Sequence, residues 1–452
     1  MATSGIDWST LANNAGSSST SGIDVPTVVN EVLESQSQEE TQWQTQETTF
    51  NSQATALQQL STQLQTLLND ANDLNDPLGS FDAMTTSVSD SSALSATAGS
   101  GAAVGSHTIS VASLATTSSD YSDELATSST TFGTGTFTLK VGSGPATTIT
   151  VDDTNNTLTG LASAINNQNL GVTANVVTDA GGTRLTLVSN SSGAAGNITI
   201  TGNTTGLNFK VGSQGQDASL TVDGVPIDSS SNTVTSAIPG VTLNLLATTS
   251  SPVTLQVSAD TSQVATDINT FVSDYNTVIS SINSQFSYDP TSGTAGTLMG
   301  DSSVEVVQST LLNDAAASLS NNGAISSLAS LGISMNEDGT LTVDSSQLTN
   351  ALADNFQAVQ TFFQNASTGF AQQFSADLTN LTDPTKGAIA VDINGINSSI
   401  TSLQSEISDF QANLSAEQQS LTTYYSNVNT TLQEIPSRLA TINAQLGSLK
   451  TS

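Results

Sequence analysis

Apolar residues recur on a seven-residue repeat at both ends of this chain, and this repeat constrains the fold more than any other feature. It runs through residues 27–74 and resumes beyond residue 392. Such a stripe is too narrow for a globular core and predicts helices that pair as coiled coils. The predicted seam residues are Val29, Val32, Trp43, Phe50, Leu57, Leu60, Leu64, Leu67, Leu403, Ile407, Phe410, Leu414, Leu421, Val428, Leu432, Ile435, Leu439, Ile442, Leu446 and Leu449.

Polar residues interrupt both repeats. Gln36 and Glu40 interrupt the N-terminal seam, and Glu417 and Pro436 interrupt the C-terminal one. Proline removes a helical hydrogen bond, so the helix is expected to bend or restart at Pro436. Since ordering a residue costs about 1–2 kcal/mol, we expect the terminal helices to be poorly ordered in the monomer. They would order against each other or against neighbouring subunits, which predicts a homo-oligomer.

Between the helical ends, the apolar period changes to two. Alternating runs at 107–114, 135–142, 147–153, 172–177, 183–189, 197–201, 218–228, 241–246 and 253–258 predict strands. Hairpin turns are expected at the pairs Gly181–Gly182 and Asp223–Gly224, and one helix is expected over about 157–168. After residue 261 the helical period returns, with one short hairpin at 332–344.

These changes of period predict an α+β multidomain protein. It has terminal coiled-coil segments, a helical domain and two inserted β-rich domains, one discontinuous and one nested within it. The expected parts are a flexible extension (1–20), an N-terminal coiled-coil segment (21–40), a helical leg (41–78 plus 262–400), a β-rich head (79–125 plus 213–261), a second β-rich head (126–212) and a C-terminal coiled-coil segment (401–452).

Composition excludes several classes of protein. The formal net charge of −33 would repel nucleic acid and anionic lipid, so neither is an expected partner. With no cysteine, neither disulfides nor thiolate chemistry is possible. No apolar run is long enough to span a membrane, so no membrane insertion is expected. The first residues lack the pattern of a cleaved signal peptide.

No group of residues carries a strong catalytic or metal signature. A Ser-His-Asp triad would need His107, the sole histidine, which lies in a predicted strand with no carboxylate nearby in sequence. The clusters Asp152–Asp153–Asn155 and Asn336–Glu337–Asp338 lack EF-hand spacing and fit turns. Arg184 is interpreted as a surface or bridging residue rather than an anion clamp. We therefore expect no enzyme, no metal and no cofactor.

Several blocks of the sequence resemble the flagellar filament capping protein family, also called flagellar hook-associated protein 2. They are SGIDVPTVVNEVLESQ (21–36), the block 81–115, DASLTVDGVPID (217–228), SNTVTSAIPGVTLNLL (231–246), LMGDSSV (298–304) and LASLGISMNEDGTLTVDSSQL (328–348). The segment 157–200, with Ile165 and Asn166, resembles a repeat shared by flagellar hook and flagellin-type proteins. SGID also occurs at 4–7, but only the second copy precedes the heptads.

The resemblance implies a ring at the distal tip of the filament, a pentamer in this family, with terminal helices as a leg and β domains as a plate. It implies that the protein promotes polymerisation of exported flagellin and prevents its leakage. Implied partners are other copies of the chain, flagellin, hook-filament junction proteins and an export chaperone. The implied route is the flagellar channel, without a cleaved signal. A hook-filament junction or other axial protein, and a secreted adhesin, are the alternatives.

Overall fold

The chain folds into two compact units. The computed structural model describes residues 24–319 and 324–449, with side chains as far as residue 446. One unit covers Asp76–Asp267, and the other combines the chain before it with the chain from Ile268 onward. The first is mainly β-structure and the second mainly helical, so the α+β multidomain prediction is confirmed. The expected extension 1–20, residues 450–452 and the side chain of Leu449 lie outside the described residues.

Eight α-helices occur among the described residues. They are α1 (Val25–Asn75), α2 (Leu158–Asn167), α3 (Thr261–Gln285), α4 (Ser302–Ala315), α5 (Ser345–Asp354), α6 (Phe356–Gln364), α7 (Phe370–Leu381) and α8 (Ala388–Leu449). Helix α1 begins after Asp24, whose carbonyl accepts the amide of Val28. It ends before Asp76, whose side chain accepts the amide of Leu78. Helix α8 continues through Pro436, so the expected restart there does not occur.

The C-terminal half of α1 packs into a helical core. Leu57, Leu60, Leu64 and Leu67 are buried, and α1 contacts α6, α7 and α8. Because several helices surround this half, its apolar residues form part of a bundle. A heptad stripe alone does not reveal how many helices face it, and these residues are expected both in the seam and in the helical leg of 41–78 plus 262–400.

Five phenylalanines from three helices form an aromatic cluster in the helical unit. Phe271 of α3 meets Phe370 and Phe374 of α7, and Phe370 in turn meets Phe362 and Phe363 of α6. The ring centroids in these pairs lie 5.1–5.8 Å apart. This spacing is within the range of favourable aromatic pairs, so the cluster anchors the short helices to α3.

Nineteen strands occur in the described part of the chain, and they cover every predicted run. They are β1 (Met84–Val88), β2 (Leu94–Ala98), β3 (Gly105–Ser113), β4 (Thr117–Ser122), β5 (Gly135–Val141), β6 (Thr147–Val151), β7 (Val172–Thr178), β8 (Thr183–Ser192), β9 (Ile198–Thr201), β10 (Phe209–Ser213), β11 (Ala218–Val222), β12 (Val225–Ser229), β13 (Thr233–Ile238), β14 (Val241–Leu245), β15 (Val253–Ala259), β16 (Tyr288–Asp289), β17 (Thr294–Ala295), β18 (Ile333–Met335) and β19 (Leu341–Val343).

The first β group consists of two antiparallel sheets. Their strand orders are β1-β15-β3-β11-β12 and β13-β14-β2. The inward residues, among them Ile109, Leu220, Leu243 and Leu255, form one hydrophobic core. In the turn between β11 and β12, Asp223 and Gly224 have φ of 52° and 81°. Positive φ at both central residues matches the expected two-residue hairpin turn.

The nested β group combines sheets β10-β4-β8-β7 and β6-β5-β9 with helix α2 around a second core. Strand β4 pairs with β8 and β10, so strand pairing moves the start of this group from the expected residue 126 to Thr117. The inward residues of β4 are Ser118, Asp120 and Ser122. Because these inward residues are polar, apolar and polar residues do not alternate along β4, and the sequence did not predict a strand there.

The glycine turn of the nested group differs from the expectation. Only Gly182 of the pair Gly181–Gly182 has a positive φ, at 155°. The carboxylate of Asp179 accepts both glycine amides and closes the turn. A Cβ at Gly182 would lie 2.7 Å from the backbone oxygen of Leu125, so close approach as well as backbone conformation favours glycine at that position.

Candidate assembly interface

Helices α1 and α8 form an antiparallel pair in the helical unit. Four side-chain contacts define the pairing: Gln36 Nε2 to Glu417 Oε1 (3.3 Å), Gln411 Nε2 to Glu40 Oε1 (2.6 Å), Gln404 Nε2 to Glu47 Oε1 (2.6 Å), and the edge-to-face rings of Trp43 and Phe410, with centroids 5.2 Å apart. Residue numbers rise along α1 as they fall along α8. The two helices therefore run in opposite directions.

The structure brings part of the predicted seam together. On α1, Val29 is buried and Val32, Trp43 and Phe50 are half-buried. On α8, Leu403 and Ile407 are buried, and Phe410, Leu414, Leu421 and Val428 are half-buried. The register of the four contacts places Phe50 level with Leu403 and Val32 level with Leu421. These residues form the paired part of the seam.

The last part of the predicted seam has no partner helix among the described residues. Leu432, Ile435, Leu439, Ile442 and Leu446 are 36–54% exposed. The register places Val25, the first residue of α1, level with Val428, so α8 extends past the described start of α1. We name these five exposed residues the C-terminal row. A row of large apolar side chains on one face of a helix is typical of a binding surface.

Amides and carboxylates, without any cation, flank the paired seam. Glu40, Glu47 and Glu417 each accept a bond from a glutamine amide of the other helix. Helix α1 contains no Lys, Arg or His, and Arg438 is the only cation in α8, where it pairs with Glu434. These cross-helix bonds were missed from the sequence, although Gln36 and Glu417 stood out there as interruptions of their seams.

The histidine lies in strand β3 and contacts a carboxylate that is distant in sequence. His107 Nδ1 lies 2.8 Å from Asp223 Oδ2, and the two residues are 116 positions apart. Asp223 follows β11, which pairs with the strand that carries His107. The bonds from His107 and the amide of Thr108 lower the pKa of Asp223. The pair ties the β11–β12 turn to β3.

The remaining polar clusters stabilise turns or neighbouring strands. A hydrogen bond from the Thr154 hydroxyl lowers the pKa of Asp152, and one from the Thr340 hydroxyl lowers the pKa of Asp338. Asx turns of this kind account for both acidic clusters. Arg184 bridges Glu124 at 2.5 Å and Asp179 at 3.8 Å, so it acts as a bridging residue.

Metal sites, membrane-spanning helices and enclosed pockets have little support in the described parts of the chain. Over residues 24–319 and 324–449, no three acidic or histidine side chains come together to hold a metal ion. None of the helices described here is both long enough and apolar enough to cross a membrane. An open groove between α1 and α3 is lined by amides and hydroxyls, namely Gln59, Gln63, Asn276, Thr277, Ser280 and Ser281.

Three family models match the chain. Flagellar hook-associated protein 2 N-terminus matches residues 21–118, flagellin hook IN motif matches 136–191, and flagellar hook-associated protein 2 C-terminus matches 215–437. The second match covers the helix and hairpin in which the Ile165–Asn166 repeat was recognised. The order of the three matches agrees with the order of the sequence blocks.

Named relatives support the same resemblance. B-type flagellar hook-associated protein 2 of Pseudomonas aeruginosa is 30% identical over 67% of this chain and 70% of the relative. Flagellar hook-associated protein 2 of Escherichia coli is 27% identical over 71% of this chain and 74% of the relative. The crystal structure of the D1-D2-D3 domains of the flagellar cap protein FliD from Escherichia coli has a TM-score of 0.60 at 28% identity, covering 76% of this chain and 99% of that one.

Proposed function

Because the chain belongs to the flagellar hook-associated protein 2 family, we propose that its terminal helices attach a filament cap to the end of the flagellum. The family assignment gives the chain the role of a flagellar filament cap at the filament tip and favours neither a junction protein nor an adhesin. Association with the filament and oligomeric assembly follow from the same assignment.

The observation that carries the proposal is the exposed C-terminal row. Each of its side chains would contribute roughly 1.5–3 kcal/mol if buried fully against a helix of a neighbouring subunit. The paired seam residues, which begin with Val29 on α1 and end with Val428 on α8, would hold the two helices together as a leg. This leg would present the C-terminal row. The β groups and the helical bundle would remain folded without it.

We propose the remaining partners and the route from the family. The ring would be a pentamer that promotes polymerisation of exported flagellin and prevents its leakage. Flagellin, hook-filament junction proteins and an export chaperone would be its partners, and the chain would leave through the flagellar channel without a cleaved signal. The protein would have no enzymatic activity. We also propose the six-part domain division, with the nested β group taken as Thr117–Ser213 instead of 126–212.

Deletion of residues 432–452 tests the role of the C-terminal row. In a strain that lacks its own cap protein, the truncated chain should be exported but should not support filament growth. Flagellin should then accumulate in the medium as monomer. Electron microscopy of filaments and immunoblots of the medium measure both outcomes. Filaments of normal length would show that the row does not hold the cap in place.

Point variants distinguish the effect of losing the C-terminal row from the effect of shortening helix α8. Leu439→Ser, Ile442→Ser and Leu446→Ser together should reproduce the deletion. Thr430→Ser, Ser437→Ala and Ala444→Ser change the opposite face of the same helix and should leave filament growth intact. Equal loss in both triple variants would assign the effect to helix α8 as a whole and contradict a specific apolar contact.

A further inference from the structure

Two of the residues that interrupt the heptad seams, one from each helix, meet each other in the structure. Gln36 contacts Glu417, and one heptad away Trp43 contacts Phe410. We propose that this polar pair and this aromatic pair together select a single register for the antiparallel helices α1 and α8. The inference concerns pairing within one chain and does not depend on the role of the protein in the flagellum.

The spacing of the two pairs produces a mismatched pair in each of the two possible heptad slips. Gln36 and Trp43 are seven residues apart on α1, and Phe410 and Glu417 are seven apart on α8. A slip of one heptad in one direction sets Gln36 opposite Phe410. A slip in the other direction sets Trp43 opposite Glu417. Each slip sets a polar side chain opposite an aromatic ring and removes both the Gln36–Glu417 bond and the Trp43–Phe410 contact.

The glutamine–glutamate bonds beside the seam discriminate between registers less than these two pairs do. Glu40 and Glu47 are one heptad apart, as are the glutamines that bond them, Gln411 and Gln404. After a slip in one direction, Glu47 would meet Gln411 and Glu40 would meet Gln418. These bonds can form again after the slip. They therefore stabilise the pairing without fixing where it occurs.

A fixed register has a structural consequence for the end of the chain. One heptad corresponds to about 10 Å along a helix. A slip would displace the C-terminal row by that distance relative to α1. The polar and aromatic pairs are therefore positioning residues that fix how far the row extends beyond α1. A uniform apolar seam would lack this register preference in the part of the helix pair that lies beyond the bundle.

Exchange of residues within each helix tests the proposal at constant composition. One variant carries Gln36→Trp with Trp43→Gln, a second carries Phe410→Glu with Glu417→Phe, and a third carries all four changes. Nitroxide labels at Gln38→Cys and Asn397→Cys report the register in the full chain, which has no native cysteine. Pulsed electron spin resonance measures the distance between the two labels. A one-heptad slip changes their separation along the helix axis by about 10 Å.

The parent should give one narrow distance, and the variant with four changes should give the same distance. Each single-helix exchange should give a second distance or a broad distribution. The control variant Glu40→Gln with Glu47→Gln should melt at a lower temperature and keep the single parental distance. A single parental distance in both single-helix exchanges, or failure of the four-residue variant to restore it, would overturn the proposal.

Discussion

At the scale of single residues, Asp120 is a buried acid in the nested β group. It is 5% exposed, and its Oδ1 has no hydrogen-bond partner. Burial raises the pKa of Asp120 to about 6. The neighbouring strands contribute no charge on its face, since Lys210 of β10 aligns with the outward Tyr121, Arg184 of β8 lies over the ring of that tyrosine, and both cations pair with other acids. Asp120 is therefore an isolated carboxyl group in the core.

The raised pKa predicts how the stability of the nested group depends on pH. The folded state holds the proton of Asp120 more tightly than the unfolded chain, whose ordinary value is 3.8. The stabilisation is complete below that value and is lost as pH rises through about 6. Asp120→Asn should raise the free energy of unfolding of this group by about 1–3 kcal/mol at pH 8 and change it little at pH 4.

Denaturant unfolding at both pH values measures this difference, and Asp123 provides the matched control. Asp123 lies next to the end of the same strand, with its carboxylate 3.3 Å from Lys210 Nζ. The bond from Asn208, followed by the one from Lys210, lowers its pKa. Asp123→Asn should therefore not stabilise the protein at pH 8. An equal gain from both variants would attribute the effect to net charge instead of burial.

At the scale of elements, Asn166 joins helix α2 to strand β7. Its side-chain amide donates to the carbonyl of Ala174 and its side-chain oxygen accepts the amide of Ala174, both at 2.8 Å. The preceding Ile165 is fully buried in the nested core. The Ile–Asn repeat thus places one residue in the core and uses the next to bond the free edge of β7.

Asn166→Ala should destabilise the nested β group by about 1–3 kcal/mol, because two backbone groups of Ala174 lose their partners. Asn166→Asp should recover part of the loss, since a carboxylate can still accept the amide but cannot donate. Asn167→Ala on the exposed side of the same helix is the control and should have little effect. Thermal unfolding followed by circular dichroism compares the three. A loss in Asn167→Ala equal to that in Asn166→Ala would contradict a specific contribution of the two Asn166 bonds.

The elements differ in how well the sequence predicted them. The heptads and the alternating runs located the long helices and most strands, because burial imposes a period on apolar residues. Strand β4 was missed because its inward residues are Ser118, Asp120 and Ser122. The phenylalanine cluster was missed because its members come from three helices. The partners of Gln36 and Glu417 could have been predicted only by aligning the two interruptions against each other.

At the scale of the whole molecule, charge opposes the association that the family assignment requires. The chain has 39 acidic residues against six Lys and Arg, and its net charge is −33. Helix α1 carries seven acids and no cation: Glu31, Glu34, Glu39, Glu40, Glu47, Asp70 and Asp73. Copies set side by side would bring these carboxylates together. Like charges on neighbouring copies repel, and the repulsion weakens as salt shortens the Debye length.

Self-association should therefore strengthen with sodium chloride, because the Debye length falls from about 10 Å at 0.1 M to about 3 Å at 1 M. Sedimentation velocity at a fixed protein concentration measures the effect. Glu31→Gln, Glu34→Gln and Glu39→Gln together should allow assembly at lower salt, since they remove charge from α1 without removing a seam residue. The C-terminal row variant Leu439→Ser, Ile442→Ser and Leu446→Ser should stay monomeric at every salt concentration. Association that weakens as salt rises would mean that opposite charges, not a screened apolar contact, hold the copies together.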